Sequence, residues 1–376
     1  MYEKINFETN GSDVQIIDLR SDTISKPTPE MREAMFNAEV GDDGYGEDPT
    51  VALLEQRAAE LLGKEDAVFV ASGTMANLIS IMVHCSQRGC ELLCGDNGHT
   101  FLLEQAGASQ VAGVQQSILK NNPDGTFDLD ELRKKIKKGD AFAPISTLIV
   151  IENTHNMCGG KVLPLDWVQK VGNIANEYNL KVHMDGARLM NAAVYLKVPP
   201  KRVCRDVDTV CFCLSKGLGA PVGSILAGDS EFIAKARRTK KLLGGGWRQA
   251  GILAAAGLVA LDKMIDRLQI DHDHAYKIAK AIHATKSNIF KVDLAHLHTN
   301  ILLMYVDHSK VEIRDLQRRL QTVLTTDSVK ASVRCTSLNH NCVRFVLYWE
   351  IQKEDVDKAI EKITLVIREY DEMFRV

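Results

Sequence analysis

Short apolar runs alternate with segments in which apolar residues recur every three or four positions. Ala67–Ala71, Glu91–Cys94, Leu148–Glu152, Val182–Met184, Val207–Leu214 and Ser224–Ala227 have the length and composition of buried strands. Between them, helical periodicity predicts helices over Met75–Cys85 and Asp166–Tyr178. Ahead of them it predicts helices over Pro29–Val40, with Thr28 as N-cap, and over Val51–Leu62. The Gly- and Asp-dense stretch Asp42–Pro49 reads as a loop. After Gly251 a helical pattern runs towards Ser287, with Ile252–Leu261 strongly apolar. From about Val292 the pattern changes. Strands over Thr299–Val306, Ser328–Cys335 and Cys342–Trp349 alternate with helices near Val311–Leu324 and from Lys353. Strands alternating with helices predict an α/β domain, a mostly parallel sheet with helices on both faces. The later pattern predicts a smaller C-terminal α+β domain. The expected division is an N-terminal arm (1–27), a large domain (28–265) and a small domain (266–376).

Bulk properties narrow the function class. A chain of 376 residues with 45% hydrophobic content can bury a large core. The net charge of −3 and the absence of a long basic tract give no indication of nucleic acid or anionic membrane as a partner. No apolar run is long enough to span a bilayer. Met1–Val14 is polar and carries no secretory apolar segment. The nine Cys are scattered, with Cys85, Cys94, Cys211 and Cys213 inside apolar runs. That usage fits reduced thiols and a cytoplasmic enzyme. No CxxC pair has zinc spacing, and no metal is expected.

Three stretches carry chemistry. The first is Ser215-Lys216-Gly217-Leu218-Gly219-Ala220-Pro221, directly after the strand ending at Leu214. Removing an ammonium from water is costly, so a lysine at the end of a buried strand is often one whose neutral amine attacks a carbonyl. The commonest use of that device is an internal aldimine with pyridoxal phosphate (PLP). The second is Asp185, at the carboxyl end of Val182–Met184, where open parallel sheets bind ligands. A carboxylate there can pair with a protonated pyridine nitrogen. The third is Ser72-Gly73-Thr74, joining a strand to a helix whose N-terminal amides can bind phosphate. Each stretch alone also admits a plain structural reading: a solvated loop lysine, a turn aspartate, an ordinary N-cap. Asp185 and Lys216 on consecutive strands in that order make the pattern specific.

Together these stretches resemble the PLP-dependent aspartate aminotransferase superfamily of fold type I, and within it the threonine aldolase branch of the β-eliminating lyases. The likeness extends from Asp18-Leu19-Arg20-Ser21-Asp22-Thr23 through Gly41–Thr50, Ser72–Asn77, Glu152-Asn153-Thr154-His155-Asn156 and His183–Arg188 to Gly244–Gly251. The resemblance implies aldol cleavage of L-threonine or L-allo-threonine, or other β-hydroxy-α-amino acids, to glycine and an aldehyde. It implies Lys216 as the PLP-bearing lysine and Asp185 at the ring nitrogen. His99 would stack over the ring, and His155 would approach the substrate hydroxyl. Ser72, Gly73, Thr74 and Ser215 would help to seat the cofactor. Arg188 and Arg344 would grip the substrate carboxylate with help from Ser21. Lys241 and Arg248 would reach the cofactor phosphate of a neighbouring subunit, so sites would be shared in a homodimer or homotetramer.

The sequence departs from the family pattern in places. Leu347 and Tyr348 stand where polar side chains are usual after Arg344, Gly44 replaces an apolar residue, and Met157-Cys158 is inserted after the His155 motif. None falls on Lys216 or Asp185. The alternative functions are another PLP-dependent β-eliminating lyase or an aminotransferase, both breaking Cα–H, and a non-catalytic paralogue. No GxGxxG follows the first strand, which disfavours a nicotinamide enzyme.

Overall fold

A computed structural model of the chain describes residues 14–374. Residues 1–13, which include most of the polar N-terminal stretch and half of the expected arm, lie outside the described residues. The chain divides into two compact units, one spanning Thr23–Ile270, the other formed by the chain up to Asp22 and from Asp271 onward. Strand β1 (Gln15–Asp18) therefore groups with the C-terminal segment, whereas the sequence assigned it to a separate arm.

The larger unit is built on seven strands: β2 (Asp66–Val70), β3 (Cys90–Gly95), β4 (Gln115–Leu119), β5 (Ile145–Glu152), β6 (Lys181–Asp185), β7 (Thr209–Cys213) and β8 (Ser224–Gly228). Their order across the sheet is β2-β8-β7-β6-β5-β3-β4. Neighbours from β7 to β4 run parallel, and β8 runs antiparallel to both β7 and β2. The reason lies in the connections. Helix-bearing crossovers return the chain to the same end of the sheet, whereas the short link between β7 and β8 turns it straight back. That link contains Lys216, and it lies at the carboxyl end of β7. The strands are apolar on both faces because the sheet is covered on both. Val68 and Val70 pack with Ala76, Ile79, Phe232 and Ile233. Phe69, which alternates with them, meets the Trp247 ring edge-on at 5.1 Å.

Helix ends follow the sequence signals closely. The Thr28 hydroxyl accepts from the Met31 amide at 3.1 Å, and the helix after it stops at Phe36 with Asn37 as its C-cap. Asp48 caps the helix Pro49–Leu62 and also accepts from the amides of Gly41 and Gly251. The loop before Asp48 contains a short 3₁₀ turn over Asp43–Tyr45. The helical stretch after Gly251 is two helices, Gly251–Lys263 and Leu268–Ala284. Local turn bonds such as Leu268 N–H to Ile265 C=O, 3.1 Å, replace the helical ladder between them. The basic run Lys235–Lys241 lies in the helix Ser230–Leu242, but Lys240 in it is buried and bonds Asp43 at 3.0 Å.

The smaller unit pairs β1 in parallel with β11 (Ala331–Arg334). It also holds an antiparallel sheet in the order β12-β13-β10-β9, formed by β9 (Phe290–Lys291), β10 (Ile301–Val306), β12 (Thr336–Asn339) and β13 (Cys342–Val346). Helices Ile313–Gln321 and Lys353–Met373 belong to it, as does the helix Leu268–Ala284 from Asp271 onward. Lys362 is fully buried and pairs with Asp327 at 2.6 Å, and Arg319 binds the same carboxylate. Burial would raise the Asp327 carboxyl, but these two cations and the Leu324 amide outweigh it and hold it well below its usual range.

Candidate active site

Asp185 ends β6, level with Glu152 on β5 and Cys211 on β7. It is 2% exposed, so its carboxylate must be fully partnered to remain charged. Asn77 Nδ2 donates to Oδ2 at 2.8 Å and the Ala187 amide to Oδ1 at 3.1 Å. Burial alone would raise this carboxyl. The charges of His99 and Lys216 and the Asn77 bond prevail and keep it below the usual carboxylate value.

His99 begins a short helix just beyond β3. Its amide donates to Glu152 Oε2 at 2.8 Å, and its Nδ1 lies 2.8 Å from Glu104 Oε1. Burial lowers the imidazole's proton affinity, but Glu104, Asp185 and Glu152 raise it further, and the net direction is up. Glu152 Oε1 accepts the Asn156 amide at 2.8 Å. One buried carboxylate thus ties the His99 and His155 segments together. His155 is 2% exposed, and its Nδ1 has no hydrogen-bond partner among the described residues. His99, His155, Glu152 and Asp185 line one crevice, with Asn121, Gly125 and Phe127 on its wall.

Lys216 is half-buried in the β7–β8 link. The Ser25 hydroxyl donates to its carbonyl at 3.2 Å, and Gly219, at φ 78°, turns the chain back. At the start of the helix Gly73–His84, Ser72 Oγ accepts the Met75 amide at 3.2 Å. A Cβ on Gly73 would stand 2.9 Å from Cys213 Sγ, so this helix start can approach β7 only as glycine. Ser224 Oγ lies 3.9 Å from that point and has no partner among the described residues. Thr74 is exposed beside it.

The remaining candidates separate. Arg188 is buried and its Nη1 lies 3.4 Å from Asn156 Oδ1, which brings it to the His155 segment. Lys241 and Arg248 are exposed, and Arg248 faces Asp42 at 3.3 Å. Ser21 and Arg344 belong to the smaller unit, where Arg344 Nη2 donates to the Arg20 carbonyl at 3.3 Å. The structure adds Asn77, Glu104 and Glu152. Sequence reasoning assigned these no role, because Glu104 follows His99 by five positions in a segment without helical period, and Asn77 reads as one more helix residue.

These groups fit PLP by their chemistry. A buried, partnered carboxylate suits a ring-nitrogen proton. A lysine amine lies in its field. A helix start with first-turn amides free of intrahelical acceptors, beside an orphaned serine hydroxyl, suits a phosphate.

The β-eliminating lyase family profile matches residues 18–308. Low-specificity L-threonine aldolase 1 of Arabidopsis thaliana is 44% identical over 343 residues, covering 90% of this chain and 93% of its own. Low specificity L-threonine aldolase of Escherichia coli K12 is 44% identical over 291 residues, covering 77% and 85%. Among solved structures, threonine aldolase of Leishmania major superposes with a TM-score of 0.77 at 17% identity, covering 93% of this chain and 99% of its own. That likeness speaks for the fold.

Proposed function

The chain belongs to the β-eliminating lyase family, and we propose that it is a PLP-dependent low-specificity L-threonine aldolase. It cleaves L-threonine, L-allo-threonine and related β-hydroxy-α-amino acids to glycine and an aldehyde. The observation that carries this reading is the buried, ionised Asp185 in the combined field of His99 and Lys216, at the carboxyl edge of the sheet.

PLP, when bound, supplies the electron sink that lets a bond at the substrate Cα break. The chain's residues do the rest. Lys216 would hold the cofactor covalently, and Asp185 would hold the proton on its ring nitrogen. Ser72, Gly73, Thr74 and Ser215 would seat it, with Arg188 alongside. The His155 imidazole would accept the β-hydroxyl proton, which directs cleavage to Cα–Cβ. His99 would cover the ring. Arg188 offers a fixed guanidinium for the substrate carboxylate; the matching roles of Ser21 and Arg344 rest on family resemblance. Purified protein given L-threonine should release glycine and acetaldehyde. Keto acid or ammonia instead would make it an aminotransferase or another β-eliminating lyase, and no product at all would make it a non-catalytic relative.

Assembly as a homodimer or homotetramer with shared sites, in the cytoplasm, is part of the proposal. Its supports are the exposed Lys241 and Arg248, with Leu242 (73% exposed) next to Lys241 in sequence and Tyr45 (80%) in the turn whose Asp43 amide donates to the Arg248 carbonyl at 3.0 Å. The nine cysteines, none in a disulfide, support a reducing compartment. No helix among the described residues is long and apolar enough to cross a membrane. A charge-assisted contact to a phosphate contributes about 1.5–3 kcal/mol. Arg248→Ala should therefore weaken PLP retention about tenfold or more. Mixed and reassembled with Lys216→Ala chains, it should regain activity, since one hybrid site then has both residues intact. Verified subunit exchange without recovery would show that each site comes from a single chain.

A further inference from the structure

The carboxamide of Asn77 has one consistent orientation. Its nitrogen faces two carboxylates, Glu104 Oε1 at 2.8 Å and Asp185 Oδ2 at 2.8 Å. Its oxygen faces His183 Nε2 at 3.0 Å and Cys211 Sγ at 3.2 Å. Reversal would set an acceptor against two acceptors. His183 Nε2 therefore donates, and its Nδ1 accepts from the Thr209 hydroxyl at 3.0 Å. Thr209 in turn accepts from His84 Nε2 at 3.0 Å. Burial keeps both histidines neutral, lowering His183 to about 3 and His84 to about 4. The protons between His84 and Asn77 are thus assigned, with Ser80 Oγ a further neighbour of the Thr209 hydroxyl at 3.4 Å, and the network ends on Glu104 and His99.

Resting on the PLP reading of the site, we propose that Glu104 and Asn77 are positioning residues that join His99 and Asp185 into one hydrogen-bonded unit and fix a His99 proton on Nδ1. Asn77 is 1% exposed and held from both sides, so it aims Glu104 Oε1 at His99. With Nδ1 committed to that bond, Nε2 is the nitrogen that gains and loses a proton. The charged groups acting on His99 are Glu104 from its own segment, Asp185 from β6 and Glu152 from β5, all favouring the imidazolium. Those acting on Glu104 are Asp185, which opposes its charge, and His99, which supports it. Those acting on Asp185 are His99 and Lys216. Burial and Asp185 push the Glu104 carboxyl up, and the bonds from His99 and Asn77 oppose them, so the imidazolium form of His99 is the one that favours two carboxylates sharing one amide.

Asn77 and His99 both bond the same oxygen of Glu104. Glu104→Gln can keep both bonds and removes only the charge, whereas Glu104→Ala removes both. The readout is ring ¹⁵N NMR of His99 in the full-length chain, with and without PLP. Glu104→Gln should retain the Nδ1–H tautomer and lower the titration midpoint by about one pH unit or more, a tenfold loss of proton affinity. Glu104→Ala should also lose the tautomer preference, and Asn77→Ala should shift His99 without touching it. In the loaded enzyme the acid limb of the kcat profile should move down by the same amount, with KM unchanged. A His99 midpoint in Glu104→Gln within a few tenths of the wild-type value overturns the proposal, even if Glu104→Ala fails to fold. Failure of the wild-type chain to take up PLP would instead overturn the reading of the site, and the titration without PLP still decides the role of Glu104.

Discussion

Lys216→Ala is expected to eliminate turnover and covalent cofactor capture together. The amine of Lys216 enters no ion pair or side-chain hydrogen bond among the described residues, while the buried Lys240 of its unit bonds Asp43 at 3.0 Å and the half-buried Lys64 bonds the Val207 carbonyl at 2.5 Å. Lys216 is also within the electrostatic reach of Asp185. A free amine in a turn at the sheet edge is placed to bond a carbonyl; the engaged amines are not. Activity should fall about ten-thousandfold or more, the scale on which loss of a covalent nucleophile acts. Borohydride should fix PLP to the wild-type chain and leave none on the variant. A variant that still retained borohydride-fixed PLP would move the covalent role to another lysine.

Asp185→Asn separates binding from chemistry. The amide preserves size and can still accept from the Ala187 N–H, so the chain should fold and take up PLP. What it loses is the charge. A unit charge about 4 Å from a ring proton is worth about 4 kcal/mol at an effective dielectric near 20. The expected loss in kcat is about a thousandfold. The substituted side chain also sets an amide beside the Asn77 Nδ2 donor, which weakens the partnership further. Near-normal kcat in this variant would mean that another group holds the ring proton.

The sheet was legible from the chain because its strands are apolar on both faces and bounded by turn residues, and β2, β3 and β5–β8 lie where the runs predicted. β4 was missed because its sequence QQSIL is half polar at the sheet edge and carries no run. The direction of β8 was not readable either, since an apolar strand reads the same both ways. Of the site, Lys216, Asp185 and the helix start at Gly73 could be found because each closes a strand or opens a helix. Asn77, Glu104 and Glu152 could not. Their importance arises from where other elements place their partners, 108 positions apart for Asn77 and Asp185. Patterns of local period carry no information about such pairs.

The Arg248–Asp42 ion pair is surface-exposed on the arginine side, at 59%. If Arg248 serves a phosphate held by another chain, it must exchange a weak partner for a dianion, because exposed pairs contribute about 1 kcal/mol or less. Affinity for cofactor and affinity between subunits then become linked quantities. Whatever factor Arg248 adds to the retention of PLP in a neighbouring site, PLP adds to the cohesion of the assembly, because such coupling is reciprocal. The supply of cofactor would then set how much of the protein stands assembled, and dilution would shed cofactor as well as subunits.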